Sequence, residues 1–120
     1  MNKLLITLML ISPFSFADWG DIYYCQMTSF SKTTLQGKKV DYKLEKFQFK
    51  LDESQKAMVF GSKGYFANVE MKIAWSEGMS NETWEAARGS ARLFFHSNGS
   101  LGYANVSLKV THLTANCDKF

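Results

Sequence analysis

From Asp21 onward apolar and polar residues alternate in short runs of period two, the spacing of half-buried strands and not the three-to-four spacing of helices. Asp21 to Thr28, DIYYCQMT, is aromatic and β-rich and predicts a first strand, followed by a polar, turn-like stretch from Ser29 to Lys39. Asp41 to Asp52 alternates with a change of phase: Tyr42 and Leu44 share one parity, Phe47, Phe49 and Leu51 the other. A strand with one buried face must absorb that slip, which predicts a β-bulge near Glu45 and Lys46, or else two strands. Met58 to Gly61 predicts a brief strand, with a reversal at Ser62 and Lys63. Tyr65, Ala67, Val69, Met71, Ile73 and Trp75 then fall on one parity and predict a half-buried antiparallel strand.

Glu77 to Gly89 breaks the alternation. Ser80 or Asn81 as a cap and Gly89 as a stop predict one short helical turn around residues 80–88, running Glu82 to Ala87. Ala91, Leu93 and Phe95 face one way and Arg92, Phe94 and His96 the other, before the Asn98-Gly99 hairpin turn. Leu101 to Thr114 returns with Ala104, Val106, Leu108 and Val110 on one parity. Six or seven short antiparallel strands predict an all-β fold, a small meander or barrel-like domain, with a two-sheet sandwich as the alternative. Periodicity alone does not separate the two, because both bury one face of each strand.

The first seventeen residues change the setting of that domain. Lys3, the apolar run Leu4 to Ile11 and Ser15-Phe16-Ala17 have the order of a cleavable signal peptide, 1–17, ahead of a single domain over 18–120. The apolar run is far short of the roughly 20 residues that span a bilayer, and no later segment is long enough. The expected location is therefore exported, periplasmic or extracellular, with no transmembrane segment in the mature chain. Without Lys3, 13 of the 14 cationic residues stand against 11 acidic ones, a weakly basic balance. Only Arg88 and Arg92 are arginines, so nothing favours nucleic acid. Lys38, Lys39, Lys43, Lys46 and Lys50 are interleaved with aromatics as in single-strand binders, yet the same pattern is the solvated face of a core-facing strand.

Cys25 and Cys117 are the only cysteines, one near each end of the folded region, and in an oxidising compartment they predict one disulfide. Metal binding is not expected: two thiols and His112 are an incomplete zinc set, and no EF-hand loop, HExxH helix or P-loop occurs, so no cofactor is implied. Asp18, Asp21 and Asp118 would meet at the bridged ends, as a weak cation site or simply as solvated acids. No glycine-rich elbow presents a serine, so a catalytic set is not assigned. A small periplasmic hydrolase would have to use His96 or His112 with a carboxylate.

The aromatic residues are many for the size, and Phe66 and Phe94 fall off the core parity of their strands. With Trp84 in the connecting segment they predict either two-sided packing or a pocket or patch that holds an apolar ligand, a glycan or an envelope protein. The expected function is a non-enzymatic exported binding or interaction module using Phe66, Trp84 and Phe94, the alternative a structural or accessory envelope protein without ligand. SPFSFADWGDIYYCQMTSF, KLEKFQFK and the terminal ANCDKF together resemble short exported proteins of marine planktonic bacteria. The resemblance implies a periplasmic or extracellular bacterial protein and carries no activity, cofactor or catalytic residue.

Overall fold

The computed structural model describes residues 17–76 and 83–120, so positions 1–16 of the expected leader lie outside the described residues. Within them the chain forms nine strands: β1 Ile22–Thr34, β2 Lys39–Asp41, β3 Lys46–Asp52, β4 Ala57–Phe60, β5 Glu70–Ser76, β6 Thr83–Arg88, β7 Ala91–His96, β8 Ser100–Val106 and β9 Lys109–Lys119. Each of β3 to β9 pairs antiparallel with the next, and β9 returns to β1, which also pairs β3. The result is a closed eight-stranded barrel, not a sandwich, with the short β2 as an extra strand beside β1.

Closure is made by the long β1. Its first half lies between β3 and β9, its second half between β2 and β9. A register shift between Met27 and Ser29 separates the halves. There the hydroxyls of Thr28 and Ser29 both meet Thr114 Oγ1, at 2.7 and 2.6 Å. Cys25 and Cys117 are directly opposite in the β1–β9 ladder and form the expected disulfide, so the covalent bond sits on the seam that closes the barrel.

The interior is full. Phe49, Leu51, Met58, Phe66, Trp84, Leu93, Phe95 and Leu113 are at most 2 % exposed. Tyr23 packs against Phe95 and Phe49 with ring centroids 4.6 and 5.4 Å apart, and Trp19 meets Trp84 edge-on at 4.9 Å. At eight strands the lumen is just wide enough for side chains to fill it. Outward positions of the same strands carry Gln26, Lys46, Gln48, Lys50, Arg92, Asn116 and Asp118. A barrel girdled by lipid shows the reverse arrangement. Among the described residues no helix is long and apolar enough to cross a membrane.

Several expectations are corrected. Residues 29–34 are not a turn but the second half of β1, held by partners on both edges. The phase change in 41–52 is resolved as two strands, with Tyr42 N–H bonded to Phe30 C=O and Met27 N–H to Glu45 C=O, both at 2.9 Å, on either side of the gap. The expected strand from Tyr65 begins only at Glu70. Residues 65–69 are turns, with Asn68 at φ 59° and Val69 N–H bonded to Phe66 C=O at 3.0 Å.

The helical turn over Glu82 to Ala87 is a strand as far as it is described, because β6 pairs residue for residue with β7 from Thr83↔His96 to Arg88↔Ala91; residues 80–82 lie outside the described residues. Leu101 to Thr114 is two strands, and their buried positions are Leu101, Tyr103, Thr111 and Leu113, the parity opposite to Val106, Leu108 and Val110. The Asn98-Gly99 hairpin forms as expected, with Gly99 at φ 101°. A Cβ there would collide with the carbonyl oxygen of Cys117, so glycine is required twice over, by conformation and by space.

Candidate functional site

Beside the packed lumen a cavity of about 480 Å³ opens at the barrel end between Phe66, Met71, Ala91 and Tyr103, and further depressions lie on the outer wall. The outward side chains of β9, β1 and β3 lie in register as two rows, Asp118–Tyr24–Gln48 and Asn116–Gln26–Lys46. The segment after β4 folds over β3 and turns this face into a groove of about 490 Å³ with Gly61, Ser62 and Lys63 as its wall. Gly61 N–H donates to Gln48 C=O at 3.0 Å, and Asn68 N–H donates to Gly61 C=O at 2.8 Å. The Glu45 carboxylate accepts from Tyr65 N–H at 2.9 Å and pins the far end of the same loop. A Cβ on Gly61 would come within 2.9 Å of Gln48 Cγ, so glycine at this position lets the wall approach the amide.

The groove chemistry is amides, an aromatic ring and a few charges. The Gln26 amide nitrogen donates to Met27 C=O at 3.1 Å and Glu45 C=O at 3.4 Å, which fixes the side chain. Tyr24, 46 % exposed, is packed edge-on by Phe120 with centroids 5.4 Å apart. Lys46 and Lys63 stand on one side and Asp118 on the other.

A second, shallower depression of about 420 Å³ adjoins the groove and shares Asn116 with it. It runs past Thr114 and Gly102 to Phe94, which is 50 % exposed on the outer face of β7. Gly102 is the cross-strand partner of Phe94 and leaves bare backbone beside the ring. Tyr24 and Phe94 thus mark the ends of a diagonal track across four strands, of roughly 20 Å from strand spacing and rise. Between them lie planar amides and hydroxyls, which both donate and accept.

Of the three residues expected to share a site, only Phe94 faces this track. Phe66 and Trp84 are buried in the core, Phe66 against Phe60 at 4.7 Å and Trp84 against Trp19. The 65–69 turns and β6 carry both side chains inward, into the one core that fills the lumen, and no second layer is involved among the described residues. Sequence reasoning passed over Tyr24, Gln26, Gln48 and Asn116. The available signal was the Tyr23-Tyr24 pair, which on a strand must send one ring to each face.

The histidines are apart from this chemistry. His96 Nδ1 accepts the Asn98 N–H at 3.0 Å and shapes the hairpin, while His112 is exposed on β9. Among the described residues neither histidine forms an ion pair or hydrogen bond with a carboxylate, and no group of three His, Cys, Asp or Glu side chains could hold a metal. Asp21 is engaged by the Lys119 ammonium at 3.1 Å. Two tyrosines titrate late. Tyr23 is pushed up to about 12 by burial and then by the Asp21 carboxylate, Tyr65 to about 12 by burial and then by its hydrogen bond with Tyr103. Comparison with protein-family models, curated proteins and solved structures finds no match.

Proposed function

We propose that this protein is a non-enzymatic, exported binding module whose outer track seats an extended hydroxyl-rich chain, an oligosaccharide. The observation that carries the reading is the alignment of Gln26 and Asn116 between two outward rings, Tyr24 and Phe94, with Gln48 beside Tyr24 on β3. Amides offer paired donors and acceptors to adjacent hydroxyls, and a ring face accepts the apolar side of a sugar. The length of the track fits several sugar units better than one compact apolar molecule. The expected leader and the seam disulfide support an oxidising, exported location.

The test is a titration of the isotopically labelled protein with soluble neutral, amino-sugar and uronate oligosaccharides, followed by backbone amide shifts. Shifts should concentrate at Tyr24, Gln26, Gln48, Phe94 and Asn116, and Tyr24→Ala or Phe94→Ala should each weaken binding roughly tenfold. Unmoved spectra at millimolar sugar throughout the panel would favour the accessory envelope protein without ligand.

A further inference from the structure

The end of the barrel away from Trp19 carries a different surface. Thr34 and Lys109 form the last paired row of β1 and β9, and one residue further along each strand are Leu35 and Leu108, in the turns of two adjacent hairpins. They are 70 % and 79 % exposed, and Val106, across from Val110, is 62 % exposed beside them. Singly exposed apolar residues are ordinary, but here they occupy neighbouring tips. Residues 34–44 and 104–112 also contain four exposed lysines, Lys38, Lys39, Lys43 and Lys109, against one acid, Asp41, which pairs with Lys39 at 3.7 Å. The opposite end holds Asp18, Asp21, Asp52, Glu53 and Asp118, with Lys50, Lys56 and Lys119 among them. The strongly basic end is therefore also the end with apolar tips.

We infer that these two hairpin tips dock the protein on an anionic lipid bilayer, Leu35 and Leu108 entering the headgroup layer while the lysines meet lipid phosphates. Apolar insertion supplies one attraction and the lysines the other, and the two together are what reversible surface binding requires. The turns are suited to leaving water, since their backbone groups bond internally: Gly37 N–H to Thr34 C=O at 2.9 Å, Thr34 N–H to Lys38 C=O at 2.9 Å, and Ser107 N–H to Lys109 C=O at 3.1 Å. The charge selects the occupant. A second copy packed tip to tip would bring like charge to like, whereas an anionic bilayer complements it. This inference is independent of the sugar track, which lies on the barrel wall.

The experiment is cosedimentation of the oxidised protein with phosphatidylglycerol vesicles and, separately, phosphatidylcholine vesicles. Binding is expected to the first at low salt, weakening as salt rises, and not to the second. The double variant Lys38→Gln/Lys109→Gln should bind about 25-fold more weakly, at about fivefold per lysine. Leu35→Ser/Leu108→Ser should lose roughly tenfold at unchanged charge, and Lys50→Gln, at the other end, should bind as before. A separate Leu108→Trp protein should gain blue-shifted emission on phosphatidylglycerol vesicles and be quenched by brominated acyl chains. Absence of binding to phosphatidylglycerol at low salt overturns the inference. So does equal loss from Lys50→Gln and the tip lysines, or retention of full affinity in the leucine variant.

Discussion

The two halves of β1 are one continuous strand with opposite fates. In the first, Tyr23, Cys25 and Met27 point into a lumen walled on every side, and all three are buried. In the second, past the bulge, Phe30 is the last ring to reach that core, and Lys32 and Thr34 follow on the same face. The Lys32 ammonium lies over the rings of Tyr42 and Tyr65 at 5.4 and 5.6 Å, closing the barrel end with an aliphatic stem and a wet charge. Burial along a strand is thus decided by what closes over it. The first half builds the fold, and the second presents surface.

The contrast can be broken most severely at the seam. Cys25→Ala/Cys117→Ala, closing a separation of 92 residues in the wild type, should cost about 4 to 5 kcal/mol on the chain-entropy model, read as a lower urea midpoint. A midpoint unmoved by reduction would mean that packing alone holds β1 to β9. Next, Leu113→Ala, at a fully buried site opposite Phe30, should cost about 3 kcal/mol in the same assay.

Alkaline pH probes the lumen without mutation. The native state keeps the Tyr23 proton to about pH 12, whereas the unfolded chain releases it near 10. Stability should hold below pH 10 and fall between 10 and 12, by about 2 to 3 kcal/mol from this tyrosine. Absorbance titration should show Tyr23 and Tyr65 among the last to form tyrosinate. The smallest effect belongs to the tip half: Val110→Thr, three residues before Leu113, should change stability by no more than about 0.5 kcal/mol. A loss comparable to that of Leu113→Ala would show that the core extends beyond Leu113 toward the hairpin tips.

Legibility follows the same division. β7 and β3 were readable because each has one face in a full core, so polarity and direction coincide. β6 was not: Glu85, Ala86, Ala87 and Arg88 favour a helix locally, and pairing with β5 and β7 overrides that preference. The β8–β9 turn lacks glycine, proline or asparagine at Ser107 and Leu108, so nothing local announced it. The apolar parity there misled, since Val106, Leu108 and Val110 face outward. Barrel closure was invisible to periodicity, although the two cysteines pointed to the meeting of first and last strands. The track went unseen because Gln26, Gln48 and Asn116 are unremarkable on separate strands, and only register brings them together.

Placing the covalent seam between the first strand and the last has a kinetic consequence. The β1–β9 ladder joins residues up to 96 positions apart, from Tyr23↔Lys119, so its contacts form late by the loop-closure argument. Until β9 arrives the sheet is an open ribbon with a bare β1 edge, and Cys25 has no partner thiol. A chain threaded through a translocon from its N-terminal end would stay unclosed for the whole of its passage. Release of the final residues would then trigger pairing and oxidation together.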